Sequence, residues 1–85
     1  MDSSKTPLNQ HSLQSLELWL QGLGATKDID NPSKWYLVLS SWKATIIFEH
    51  EDLSVIWQSD GQETKRLFSY CINRKDVENA ILQGP

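Results

Sequence analysis

The sequence lacks most of the features from which a biochemical activity is recognised. Its 85 residues include one cysteine, Cys71, so an internal disulfide and a cysteine-rich metal site are both excluded. No segment approaches the roughly 20 apolar residues of a membrane-spanning helix. The N-terminus resembles neither a signal peptide nor a transit peptide. We therefore expect a small soluble protein of a reducing compartment, either cytoplasmic or in the plastid stroma.

Groups suited to catalysis or metal binding are also scarce. His11 and His50 are the only histidines, and neither forms a nucleophile motif with Cys71 or a serine. The acidic segment 49–52 offers oxygen ligands, but neighbouring side chains in a tight turn point in different directions. The sequence therefore predicts no enzyme activity, no catalytic residue, no cofactor and no metal site.

The first half of the chain contains one clear helical pattern. Leucines recur at spacings of three and four from Leu13 to Leu23, which is typical of an amphipathic helix. Ser12 is a suitable N-cap, and Gly24 can adopt the left-handed conformation that ends a helix. We predict a helix over 12–23. The polar residues 1–11 are predicted to form a flexible N-terminal arm that docks only through Leu8, and residues 12–85 a single α+β domain.

The rest of the chain alternates with the two-residue period of β-strands. Predicted strands cover 35–39, 42–49, 53–58 and 64–72, separated by turn residues such as Ser40-Ser41 and Asp60-Gly61. Asn73 then caps a short C-terminal helix. The fold expected is a two-layer α+β domain, a four-stranded antiparallel β-meander with both helices packed on one face.

The opposite face of this sheet is predicted to stay open and to be unusually apolar. Open faces of antiparallel sheets are normally polar, although strand-forming residues are needed on both faces of any strand. We predict that a protein partner or a second copy of the chain binds this face. The predicted partner-binding residues are Tyr36, Val38, Ile47, Ile56 and Leu67, with Lys43 and Lys65 at the rim.

RNA binding is the alternative function. The predicted order of helix, strands and helix resembles the double-stranded RNA-binding fold, which holds phosphates with lysine and arginine. Against it stand the formal net charge of −3 and the acidic residues that follow in the second helix. Nucleic acid is therefore the less favoured partner. The residues of this alternative are Lys65, Arg66, Arg74 and Lys75.

Several short motifs resemble a small domain family of unknown function found in cyanobacteria and plastids. They are Leu16–Leu20, Leu23-Gly24, Asp30-Asn31-Pro32, Trp42-Lys43-Ala44, Phe68-Ser69-Tyr70, Asp76-Val77-Glu78, Ala80-Ile81 and Gly84-Pro85. The resemblance implies a protein of a photosynthetic lineage and supplies no catalytic residue. Together with the apolar face, it suggests a non-enzymatic accessory or adaptor protein in assembly or regulation of the photosynthetic or gene-expression machinery.

Overall fold

The computed structural model describes residues 6–85, which form two helices and five strands. A short 3-10 turn, Leu8–Gln10, precedes them. The elements are α1 (Leu13–Leu23), β1 (Thr26–Lys27), β2 (Lys34–Val38), β3 (Lys43–Phe48), β4 (Asp52–Ser59), β5 (Gln62–Ser69) and α2 (Arg74–Gln83).

The predicted α+β class is confirmed, and the predicted count of four strands is wrong by one. The strands form a single antiparallel meander in the order β1-β2-β3-β4-β5. The additional strand, β1, is only two residues long and pairs with β2 through Thr26 opposite Tyr36. A strand this short contains no alternating pattern, so only its pairing with β2 makes it a strand.

The predicted register of the first long hairpin is confirmed. Trp35 lies opposite Ile46 and Leu37 opposite Ala44. Residues 39–42 connect the strands. The backbone N–H of Leu39 donates to the carbonyl of Trp42 at 2.9 Å, so Ser40-Ser41 form the two-residue turn. This register sends alternate residues of β2 and β3 to the same inner face.

Strand β5 begins and ends earlier than predicted, at Gln62 and Ser69 in place of 64 and 72. It begins earlier because Asp60 and Gly61, with φ of 50° and 77°, form a tight two-residue turn. It ends earlier because the N–H of Ile72 donates to the carbonyl of Ser69, which turns the chain away from the sheet.

Both helices bury their apolar residues in one core with the inner face of the sheet. The indole N–H of Trp57 in β4 donates to the carbonyl of Ile81 in α2 at 3.2 Å. The indole N–H of Trp19 in α1 donates to Glu78 Oε1 in α2 at 2.9 Å. These contacts confirm the predicted two-layer arrangement. The fully buried core side chains include Leu8, Leu20, Trp35, Leu37, Ile46, Leu53, Val55, Trp57, Val77 and Ile81.

The predicted helix caps are present at both helices. Ser12 Oγ accepts a hydrogen bond from the N–H of Ser15 at 3.1 Å, and Gly24 is left-handed with φ of 99°. Asn73 Oδ1 accepts from the N–H of Asp76 at 2.8 Å. Each cap satisfies backbone groups that have no partner inside the helix.

The predicted flexible arm spans 1–11, of which residues 1–5 lie outside the described part of the chain. In the described part, Leu8 is fully buried. The N–H groups of Leu8 and Asn9 donate to the carbonyls of Ile72 and Tyr70 at 3.0 and 2.9 Å. Leu8 therefore docks as predicted, although not alone, since Asn9 also bonds to the segment that enters α2. The flexibility of the arm stays a prediction.

Candidate functional site

The register of the sheet fixes which residues share its outer face, the face that carries neither helix. Directly paired residues of antiparallel strands point to the same side and form rows that cross the strands. The first outer row consists of Lys34, Ile47, Ser54 and Leu67, and the second of Tyr36, Thr45, Ile56 and Lys65.

Apolar side chains alternate between these two rows and form a zigzag line across the sheet. Tyr36, Ile47, Ile56 and Leu67 lie on β2, β3, β4 and β5, each diagonal to the next. Diagonal neighbours are about 7–8 Å apart, within reach of long side chains. We call these four residues the outer stripe. Polar side chains occupy the alternate positions, so the stripe is a narrow apolar line between polar groups.

The structure brings together most of the predicted partner-binding residues. Four of the five apolar ones form the outer stripe, and Lys65 lies beside it, opposite Ile56. Val38 lies in a third row, where its cross-strand neighbour is Lys43, and its side chain is 70% exposed. Val38 and Lys43 therefore form the margin of the predicted surface.

Ser54 is a buried polar residue at the centre of the outer face. Although it lies on the outer face, between Ile47 and Leu67, it is completely buried. Its hydroxyl has no hydrogen-bond partner among the described residues. A buried hydroxyl without a partner costs about 1–3 kcal/mol. The centre of β4 therefore carries a buried hydroxyl, unpaired within the described part of the chain, on the outer face, with two residues of the stripe as its cross-strand neighbours.

The hydroxyl of Tyr36 ties one end of the stripe to the loop before β2. It donates to Asp28 Oδ2. This hydrogen bond, followed by the bonds that the same carboxylate accepts from the N–H groups of Asp30 and Asn31, lowers the pKa of Asp28. The hydrogen bond to Asp28 is also the main reason that the pKa of Tyr36 is raised. The loop and the stripe are thus joined.

The loop presents an apolar residue that sequence reasoning missed. Ile29 is 97% exposed, and the chain around it is fixed because Asp28 Oδ1 accepts from two backbone N–H groups at 2.8 and 2.9 Å. Asn31 Oδ1 in turn accepts from the N–H of Ser33 at 3.0 Å. The signal in the sequence was the Asp28 to Pro32 segment, whose side chains form such turns.

On the strand positions of the outer face, lysines outnumber acidic residues, although the whole chain has a net charge of −3. These positions hold three lysines, Lys34, Lys43 and Lys65, against two acids, Asp52 and Glu63. Lysine side chains lie beside apolar surface with their stems while keeping the ammonium group in water. The face therefore combines an apolar line with a border that holds charged residues of both signs.

The four residues of the RNA-binding alternative do not share one surface. Lys65 and Arg66 are adjacent on β5 and point to opposite faces of the sheet. The Arg66 guanidinium lies over the ring of Phe68, 4.8 Å from its centroid. Lys75 Nζ, near the start of α2 beside Arg74, is 3.3 Å from Glu78 Oε2. No continuous basic surface that includes Lys65 follows from these positions.

The described residues offer few other groups suited to binding or catalysis. Residues 6–85 contain no group of three or more histidine, cysteine or acidic side chains placed to hold a metal ion. Cys71 is exposed, with Asn9 Nδ2 3.8 Å from its sulfur. A shallow cleft of about 460 Å³ is lined by residues 39–43 and 58–63, at the turn ends of the β2–β3 and β4–β5 hairpins. Neither helix in this part of the chain is long and apolar enough to cross a membrane.

Comparison with known proteins identifies one family. A family model described as "Protein of unknown function (DUF3143)" matches residues 23–84, more than half of the chain. The match begins at the last residue of α1 and includes the whole sheet and α2. Comparisons with curated proteins and with solved structures gave no significant match.

Proposed function

The chain belongs to the DUF3143 family of proteins of unknown function, and we propose that it is a non-enzymatic accessory or adaptor protein that binds another protein through the outer stripe. The observation that carries this proposal is the apolar line from Tyr36 to Leu67, which crosses four strands on the face that neither helix covers. Such a line on an open antiparallel face is unusual, since these faces are normally polar.

The size and charge of the surface indicate which kind of partner it fits. A specific interface of standard size needs about 800 Å² from each partner, more than four side chains supply, so the interface also uses the lysines at the border of the stripe. Lys34, Lys43 and Lys65 favour a partner whose apolar ridge is flanked by carboxylates, because complementary charges speed association and select the partner.

The resemblance of the sequence to a family of cyanobacteria and plastids supports a narrower proposal. We place the protein in the cytoplasm or the plastid stroma, in assembly or regulation of the photosynthetic or gene-expression machinery. A small adaptor without catalytic groups suits such a role, because adaptors act by holding another protein in place.

The test uses matched apolar-to-acidic variants. One variant carries Ile47→Asp and Ile56→Asp in the stripe. The control carries Leu13→Asp and Leu18→Asp, which place the same charges on leucines of α1 that are already exposed. Tagged wild-type protein and both variants capture proteins from a lysate of the source organism, and mass spectrometry quantifies them. We expect one protein to be retained by wild type and control and to fall at least about tenfold with the stripe variant.

Circular dichroism and thermal unfolding establish that the stripe variant is folded, and light scattering after size exclusion reports self-association through the same face. The proposal is wrong if the folded stripe variant captures the same proteins in the same amounts as wild type and forms the same oligomer.

A further inference from the structure

The two edges of the sheet differ greatly in length. One edge is β1, with two residues, and the other is β5, with eight. Every residue of β5 is exposed except Phe68. A long exposed edge strand presents a row of backbone N–H and C=O groups that can pair with another strand.

The hairpin turn determines which backbone groups of β5 face outward. A two-residue turn closes on a hydrogen-bonded pair, here Ser59 with Gln62. Hydrogen-bonded pairs then recur at every second residue, so the even-numbered residues of β5 bond to β4. The N–H and C=O groups of Glu63, Lys65 and Leu67 point away from β4. In the described part of the chain, β4 is the only strand paired with β5.

The far end of this edge is already occupied. The carbonyl of Ser69 accepts from the N–H of Ile72, and the carbonyl of Tyr70 accepts from the N–H of Asn9. The length of β5 that is free to pair therefore runs from Gln62 to Phe68.

We propose that β5 pairs antiparallel with β5 of a second copy, about a two-fold axis through Thr64, to form a continuous ten-stranded sheet. In this register Glu63 lies opposite Lys65 of the second copy, and the symmetry repeats the pair. Both residues direct their backbone groups outward, so the two pairs form four backbone hydrogen bonds. The contact is self-complementary, as a two-fold symmetric interface requires.

Several registers of the two β5 strands keep the outer faces of both copies on the same side of the joined sheet. The charges of β5 favour the register whose axis passes through Thr64. An axis through Glu63, Lys65 or Arg66 would place identical charges directly opposite each other, which is destabilising. An axis through Leu67 would pair Lys65 with Ser69 of the second copy, whose carbonyl already accepts a hydrogen bond. Between Gln62 and Leu67, an axis through Thr64 is the one that places opposite charges, those of Glu63 and Lys65, across from each other.

The dimer inferred here is weak and reversible. Five paired residues per chain make an interface below about 1,200 Å², the size of transient contacts. The pairing leaves the outer stripe of both copies exposed, on the same side of the joined sheet. Both proposals use Lys65, but Glu63 belongs to the dimer alone and the isoleucines of the stripe to the partner interface alone, so variants of these residues test the two proposals separately.

Charge reversal and charge exchange test the register with the purified protein alone. Sedimentation equilibrium measures the dimer over about 10 µM to about 1 mM protein. Glu63→Lys and Lys65→Glu each place like charges opposite in both pairs, and each is expected to raise the dissociation constant about tenfold or more. The double variant Glu63→Lys with Lys65→Glu re-forms both pairs with their charges exchanged and is expected to restore the wild-type dissociation constant.

Matched controls carry the same charge changes away from the edge. Glu51→Lys in the β3–β4 turn and Lys43→Glu on β3 are both at exposed positions and are expected to leave the dissociation constant unchanged. Thermal unfolding confirms that every variant is folded. A wild-type protein that is monomeric throughout, a double variant that does not recover, or a dimer lost only with Ile47→Asp and Ile56→Asp would each overturn the proposal.

Discussion

At the scale of single residues, the hydrogen bond between Tyr36 and Asp28 links the outer stripe to the loop that precedes β2. Without it, the tyrosine ring at the end of the stripe has more freedom to rotate, and the loop loses one of its attachments to the sheet. The pKa shifts of both groups follow mainly from this one bond, so the titration of either residue reports whether it is present.

The two groups predict a range of pH in which the loop is attached. The folded-state pKa of Asp28 lies below its ordinary value of 3.8, so its contribution to stability is present above that value and is lost as the pH falls through the lowered pKa. The folded-state pKa of Tyr36 lies above 10.0, so its contribution is present below pH 10.0 and is lost as the pH rises through the raised pKa.

We predict that Tyr36→Phe moves the pKa of Asp28 back toward 3.8, because the main cause of its lowering is removed. Carboxyl chemical shifts followed by NMR during an acid titration measure this change. The control is Tyr70→Phe, since the hydroxyl of Tyr70 donates to the carbonyl of Glu49 and does not contact Asp28. An unchanged Asp28 titration in the Tyr36→Phe variant would show that the bond contributes little in solution.

At the scale of elements, the end of α1 depends on one left-handed residue. Gly24 has φ of 99°, and the N–H of Ala25 after it donates to the carbonyl of Leu20 at 3.0 Å. This is the Schellman arrangement, which satisfies carbonyls at the end of a helix. Gly22, two residues earlier, lies within the helix, and outside its neighbours and the backbone of its own helix no atom lies within 4 Å of the position where a Cβ would be built.

The same substitution at these two glycines is predicted to have opposite effects. Gly22→Ala should stabilise the protein by about 0.5–1 kcal/mol, because alanine loses less backbone freedom than glycine when the helix forms. Gly24→Ala should destabilise it by about 1–2 kcal/mol, because a Cβ is strained at positive φ. Urea unfolding measures both free energies. Equal effects of the two substitutions would contradict the assigned end of α1.

Elements with strong local signals were predictable from the sequence, and those made by tertiary pairing were not. The caps Ser12, Gly24 and Asn73 bond to groups within a few residues, so these helix ends can be predicted from the local sequence. β1 has no such signal, because it exists through its pairing with β2. The end of β5 was misplaced because alternation continues to Ile72, while the turn that ends the strand depends on a backbone bond.

The sequence predicted which residues of the candidate site lie on the outer face, but it predicted less well how they are arranged there. Alternation alone assigned Ile47 and Ile56 to the outer face, and the register then made them diagonal neighbours. The separation of Val38 from the stripe depends on how strands far apart in the sequence align. Ile29 was missed because no periodic pattern describes a loop residue whose exposure follows from the hydrogen bonds around it.

At the scale of the whole molecule, the core joins parts of the chain that lie inside and outside the family match. The match begins at residue 23, but Leu8, Leu16 and Leu20 precede it and are buried with the inner face of the sheet. The sheet and α2 therefore leave apolar surface that α1 and the segment around Leu8 cover. We expect these parts to unfold together, because a small domain with a single core normally unfolds in one transition.

Leu8 provides the sharpest test of this expectation. Its side chain is completely buried, so Leu8→Ala is predicted to lower the free energy of unfolding by about 2–5 kcal/mol. Leu13→Ala is the matched control: it removes the same atoms from a side chain that is 64% exposed, and its predicted effect is within about 0.5 kcal/mol. Urea unfolding followed by tryptophan fluorescence and by circular dichroism measures both variants, with coincident transitions expected. If Leu8→Ala costs no more than Leu13→Ala, the segment around Leu8 is not part of the cooperative core, and the helices and sheet are stable without it.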